Sequence, residues 1–146
     1  MRRTFSANGT GRENPFLDRQ RQAIAAVSPV LDQINAKFIE AERKLRDSQP
    51  VGDVAIMFRQ DMLGRHWLAL VKNHLGQWRL SYGVCHAEDE EPTWRPIVEA
   101  SRQIRVEVAS EFDWHYAALQ RAIAEADEEF DAKARKALET MTKTLE

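Results

Sequence analysis

The chemistry this chain could do rests on one cysteine, four histidines and an acidic run. Cys85-His86 is the first place to look for a nucleophile, since a neighbouring imidazolium lowers a thiol's pKa. Adjacent residues on an extended chain point to opposite sides, however, so His86 is poorly placed as the base for Cys85. His66, near the far end of a neighbouring strand, is the better partner. A pocket built from Cys85, His66 and His86 is therefore one reading. The other is a small, semi-buried thiol that closes an edge strand, and it is preferred.

Metal binding would draw on His66, His74, His86 and His115 with Glu88, Asp89, Glu90 and Glu91. Zinc sites show paired Cys or His spacings, and helical sites show ligands three or four apart. Glu111 and His115 make one such pair and complete no site. The acidic run lacks the alternating oxygen ligands and central glycine of a calcium loop. The expectation is no metal and no cofactor. A Gly-x-Ser-x-Gly elbow is missing from the sequence, and Asn8-Gly-Thr-Gly11 has no following lysine to make a phosphate loop.

Binding side chains are easier to find. Three of the four tryptophans fall between His66 and Trp94. Trp78 reads as core. Trp67 is evenly balanced between core and interface, and Trp94 sits at a loop-to-helix junction; aromatic side chains of this kind anchor interfaces as readily as they fill cores. Arg102 and Arg105, three apart, could meet an anion, although charge pairing within the chain is the preferred reading.

These residues must be positioned by elements that the periodicity outlines. Asn14-Pro15 reads as an N-cap and a first-turn proline. Leu17, Ile24, Leu31, Phe38 and Leu45 then recur seven apart, a heptad stripe that Pro29 interrupts with a kink or restart. After Ser48-Gln-Pro-Val-Gly52 the period falls to two. Three strands follow, joined by Asp61-Met-Leu-Gly64 and Asn73-His-Leu-Gly76. Both tetrapeptides suit a three-residue hairpin loop with glycine in the left-handed position. That register sets Phe58 opposite Leu68 and Leu70 opposite Leu80. Four-residue loops would instead exchange the two faces of the middle strand and turn Trp67 and Val71 to the core side. That strand is apolar on both sides, so either register leaves an apolar patch on the second face, around Met57 and half of the strand, for a helix or partner to cover.

Thr93-Trp-Arg-Pro96 predicts a helix start, with helix onward to the C-terminus and a break considered near 110, although Ile104, Val106 and Val108 also alternate as in a strand and leave 97–110 open between the two. Ile97 to Met141 can share one apolar helical stripe. The predicted fold class is α+β: a kinked N-terminal helix, a three-stranded antiparallel β-meander, and a long C-terminal helical region packed on the sheet.

At 146 residues the chain fits one domain over 14–146, preceded by a disordered tail over 1–13. A single cysteine excludes an internal disulfide and suits a reducing, cytoplasmic setting. MRRTFSANGTGRENP has a basic start but no apolar run, so it is not read as a signal peptide, and no membrane span is expected. A net charge of -2 argues against a broad nucleic-acid footprint. Only Arg2, Arg3 and Arg12 in the tail favour that role. Surplus apolar surface without a catalytic motif points to a non-enzymatic protein-interaction module: an adaptor, inhibitor or chaperone-like protein with a protein partner, acting as a homodimer. Its candidate surface residues are Trp67, Met57, Val71, Trp94, Arg102 and Arg105. The alternative is a small-molecule binder or enzyme with a pocket between the sheet and the C-terminal helix near Cys85.

Overall fold

The first helix, α1 (Pro15–Asp47), begins on the proline whose missing N–H costs nothing in a first turn. The computed structural model describes the backbone of residues 15–86 and 90–146, with side chains except at 16–18 and 20–28. Asn14, the 1–13 tail and the side chains of Leu17 and Ile24 therefore lie outside the described residues. Pro29 lies within α1, and the helix runs through it to Asp47 without the predicted restart. The proline removes one backbone hydrogen bond and does not divide the element. Gln49, at φ 55°, turns the chain out of the helix. The chain separates into two units, 1–33 and 34–146, and the sheet with its core belongs to the second.

Alternating apolar residues give β1 (Val54–Asp61), β2 (Gly64–Lys72) and β3 (Trp78–Cys85), antiparallel and in chain order. The second hairpin has the expected register, with Leu70 opposite Leu80. Asn73 Oδ1 accepts from the N–H groups of Leu75 and Gln77, and Gly76 takes φ 78°. The first hairpin differs from the prediction. Asp61 pairs with Gly64 across Met62 and Leu63 alone, and Ile56, not Phe58, stands opposite Leu68. A bulge at Phe58, between Met57 and Arg59, absorbs the extra residue.

The predicted helix start at 93–96 is corrected. Arg95–Pro96 forms a fourth strand, β4, against Ser81 and Tyr82, so the sheet has four strands and not three. Pro96 is extended (φ -52°, ψ 137°), and a single 3-10 turn covers Ile97–Glu99. Helix α2 (Arg102–Ser110) starts only where the Ser101 hydroxyl can accept from the Ile104 N–H. It stops at Glu111, whose φ of -123° and ψ of 33° depart from helical values and break the ladder before α3 (Phe112–Leu145).

One sheet face carries the core. Leu68, Leu70 and Leu80 pack there with Phe38 and Leu45 of α1, Ile97, Val108 of α2, and Leu119 and Ile123 of α3. Glu42 of α1 reaches the outer side of β3. Its Oε1 accepts from Arg79 Nε (3.0 Å) and from the Leu80 backbone N–H (2.8 Å), just before β4 takes over that edge. Ala69, Val71 and Ser81 on the reverse face are buried as well.

Candidate functional site

The bulge at Phe58 builds the most polar region of the core side. In regular pleating Phe58 and Arg59 would point to opposite faces. The extra residue instead lets Arg59 pair with His66 while Phe58 packs on the same side, its ring 6.1 Å from His66 and Tyr82 and 5.6 Å from His115. Arg59 Nη1 donates to Glu107 of α2, tying the strand to that helix. Its Nε stands 3.1 Å from Asp61 Oδ2, a charge contact without hydrogen-bond alignment.

His66 is the centre of the cluster and is 2% exposed. Its Nε2 lies 3.0 Å from Asp61 Oδ1 and its Nδ1 2.8 Å from the Tyr82 hydroxyl. A carboxylate can only accept, so Nε2–H donates to Asp61, while Nδ1 shares its hydrogen bond with the tyrosine hydroxyl. The hydrogen bond from His66 is the main force lowering the Asp61 pKa, aided by the Leu63 N–H and the charge of Arg59, against burial. Burial, with Glu107 and Asp61 nearby, raises Tyr82, whereas Arg59 pulls it down.

Hydroxyl, imidazole and carboxylate stand here in the order of a proton relay. The electrostatics run against that use: the phenol is held in its protonated state, both imidazole nitrogens are engaged, and the arginine faces two carboxylates. The arrangement works best as a clasp joining β1, β2, β3 and α2.

His115 lies beneath Phe58, 4% exposed, with an Nδ1 that has no hydrogen-bond partner. Burial lowers its pKa, opposed by Glu111, Glu107 and Asp113. A depressed imidazole binds its proton more readily in the unfolded chain, so its contribution to stability is complete above about pH 6.5 and is lost as pH falls below that. Asp61 adds the same sign of dependence below the ordinary carboxylate range. The urea midpoint of the wild-type protein is expected to fall between pH 7 and 5, and that of His115→Leu to fall less; parallel falls would assign the loss to other groups.

The sequence-derived pocket is not assembled. Cys85 is buried on the face opposite His66, with its Sγ donating to the Glu90 carbonyl at 2.8 Å. His86 is exposed and donates from Nδ1 to the Leu63 carbonyl. Other candidates do come together: Met57 pairs with Trp67, Trp67 with Gly83, and Trp94 packs against the position of Gly83, making a cross-strand row on the reverse face. Met57 is exposed and both tryptophans are half-buried. Val71, on the same face, is buried; Arg102 is exposed, and Arg105 donates to Asn35 Oδ1 at 3.1 Å. Glu88 and Asp89 lie outside the described residues. Among the described residues no three His, Cys, Asp or Glu side chains are grouped as metal ligands, and no helix is long and apolar enough to cross a membrane.

A second surface is formed by α3. Leu119, Phe130 and Met141 are eleven apart, as are Ile123, Ala134 and Leu145, a spacing that keeps one face in line along a helix. Leu119 and Ile123 are buried against the sheet, whereas every residue from 127 onward is exposed. Phe130, Leu138, Met141 and Leu145 are 57%, 64%, 60% and 82% exposed. Individual exposed apolar residues are ordinary, but four along about four helical turns make a continuous strip.

The fold is thus an α+β domain with helices covering one face of an antiparallel sheet. In comparisons with known proteins, no family model matches the chain, and no curated protein or solved structure matches it significantly.

Proposed function

We propose that the protein is a non-enzymatic protein-interaction module, of the adaptor, inhibitor or chaperone-like kind, and that the C-terminal half of α3 is its docking element. The observation that carries this reading is the strip from Phe130 to Leu145, which continues the face that packs on the sheet and is exposed beyond it. An amphipathic helix with anchors at three- and four-residue intervals is a common way to seat one protein on another.

The test is site-specific photo-crosslinking in the native host. A photoreactive residue at 130 or 141 should give discrete protein adducts, and one at Glu128 or Glu139, away from the strip, should give few. Equal labelling at all four positions would refute the reading. An enzyme or small-molecule site is the second reading, favoured only by the order of Tyr82, His66 and Asp61. It requires that Tyr82→Phe abolish a ligand-dependent rise in thermal stability while leaving the fold intact.

A further inference from the structure

We infer that the occupant of the α3 strip is a second copy of the same chain, paired antiparallel along residues 126–145. This inference rests on the reading of α3 as a docking helix and adds the identity and direction of its partner.

Direction follows from charge. Residues 127–131 contain four carboxylates, and residues 133–136 contain three cations. Two parallel copies would set each block against its own kind, whereas antiparallel copies set acid against base. The strip fixes the register. At 100° per residue, Asp131 and Arg135 flank it on one side. In an antiparallel helix pair the same flank of each helix meets. A two-fold axis close to Lys133 and Ala134 then brings Asp131 against Arg135 of the second copy. The same axis lays Phe130 over Ala137 and Met141 over Ala126, each large side chain against a small one. Within one chain Arg135 already pairs with Asp131 (Nε to Oδ2 3.1 Å), so both side chains point along the flank that this register uses.

The full-length protein is tested by analytical ultracentrifugation and by disulfide trapping in a Cys85→Ser background. The expected result is a dimer at about 100 μM that becomes monomeric with Phe130→Asp or Met141→Asp, neither of which removes a core contact. Ala134→Cys, near the axis, should link two copies, and Leu145→Cys should not. Efficient trapping at both positions would indicate parallel helices and overturn the inference. A dimer that survives Phe130→Asp would overturn it by placing the interface elsewhere.

Charge exchange separates contacts between copies from those within one helix. Asp131→Arg and Arg135→Asp alone should each weaken the dimer at least tenfold, and an equimolar mixture should form heterodimers. Absence of heterodimers would overturn the register. A wild-type monomer throughout would overturn self-pairing, and the photo-crosslinking result at 130 and 141 would still decide separately whether α3 docks another protein.

Discussion

Replacing Leu119 with alanine is expected to cost about 3–4 kcal/mol of folding stability, whereas replacing Phe130 with alanine is expected to change it by less than about 0.5 kcal/mol. The two residues occupy equivalent places on one helical face, eleven apart. Leu119 is fully buried among the sheet and helix core, so its truncation leaves a cavity that surrounding leucines fill only in part. Phe130 is more than half exposed, and most of what it would lose on truncation is already in water. Chemical denaturation of the two variants, at concentrations where any association is negligible, checks this. Comparable losses would mean that the exposed half of α3 folds against something within its own chain.

Gly64→Ala is expected to cost about 3 kcal/mol, through backbone rather than packing. Gly64 takes φ 129°, where a side chain is strained, and an added Cβ would lie 2.1 Å from the Cys85 carbonyl oxygen. The first hairpin would have to move away from β3, disturbing the Asp61–His66 contact at its base. A shift of the urea midpoint together with a perturbed His66 imidazole NMR signal is the expected outcome. Gly76→Ala is the comparison: that glycine also has a positive φ, but nothing stands within 4 Å of its Cβ position. Its cost should be nearer 1 kcal/mol. Equal costs would mean that conformation alone, and not the closeness of the Cys85 carbonyl, decides the effect.

These two glycines also show how far the sequence could be read. Asp61-Met-Leu-Gly64 and Asn73-His-Leu-Gly76 have the same form, and the second folds into the loop its residues suggest. The first does not, because its register is set three residues upstream by a bulge at Phe58, a position that no glycine or proline marks. The Arg59–Asp61–His66–Tyr82 cluster depends on that bulge. Without it, period-two counting sends Arg59 to the wrong face and leaves His66 searching for Cys85. Glu107 was hidden for a related reason, since whether 97–110 is strand or helix depends on the Ser101 cap, masked by the proline at 96 that resembled an earlier start. By contrast, the apolar stripe of α3 and the Leu70–Leu80 pairing were legible, because each rests on a strict period. What periodicity does not disclose is where the stripe ceases to be covered. That depends on the length of the sheet beneath it.

The carboxylate of Glu42 has a consequence for how the protein behaves in crowded solution. Among the described residues the two-residue β4 pairs with Ser81 and Tyr82, and the neighbouring Leu80 N–H, if left without a partner, would be a main-chain donor for any extended peptide that drifted past. Glu42 occupies that N–H and plants a negative charge where an incoming strand would need a carbonyl. In effect α1 works as a stopper at this point of β3, where an added strand would first have to displace the carboxylate.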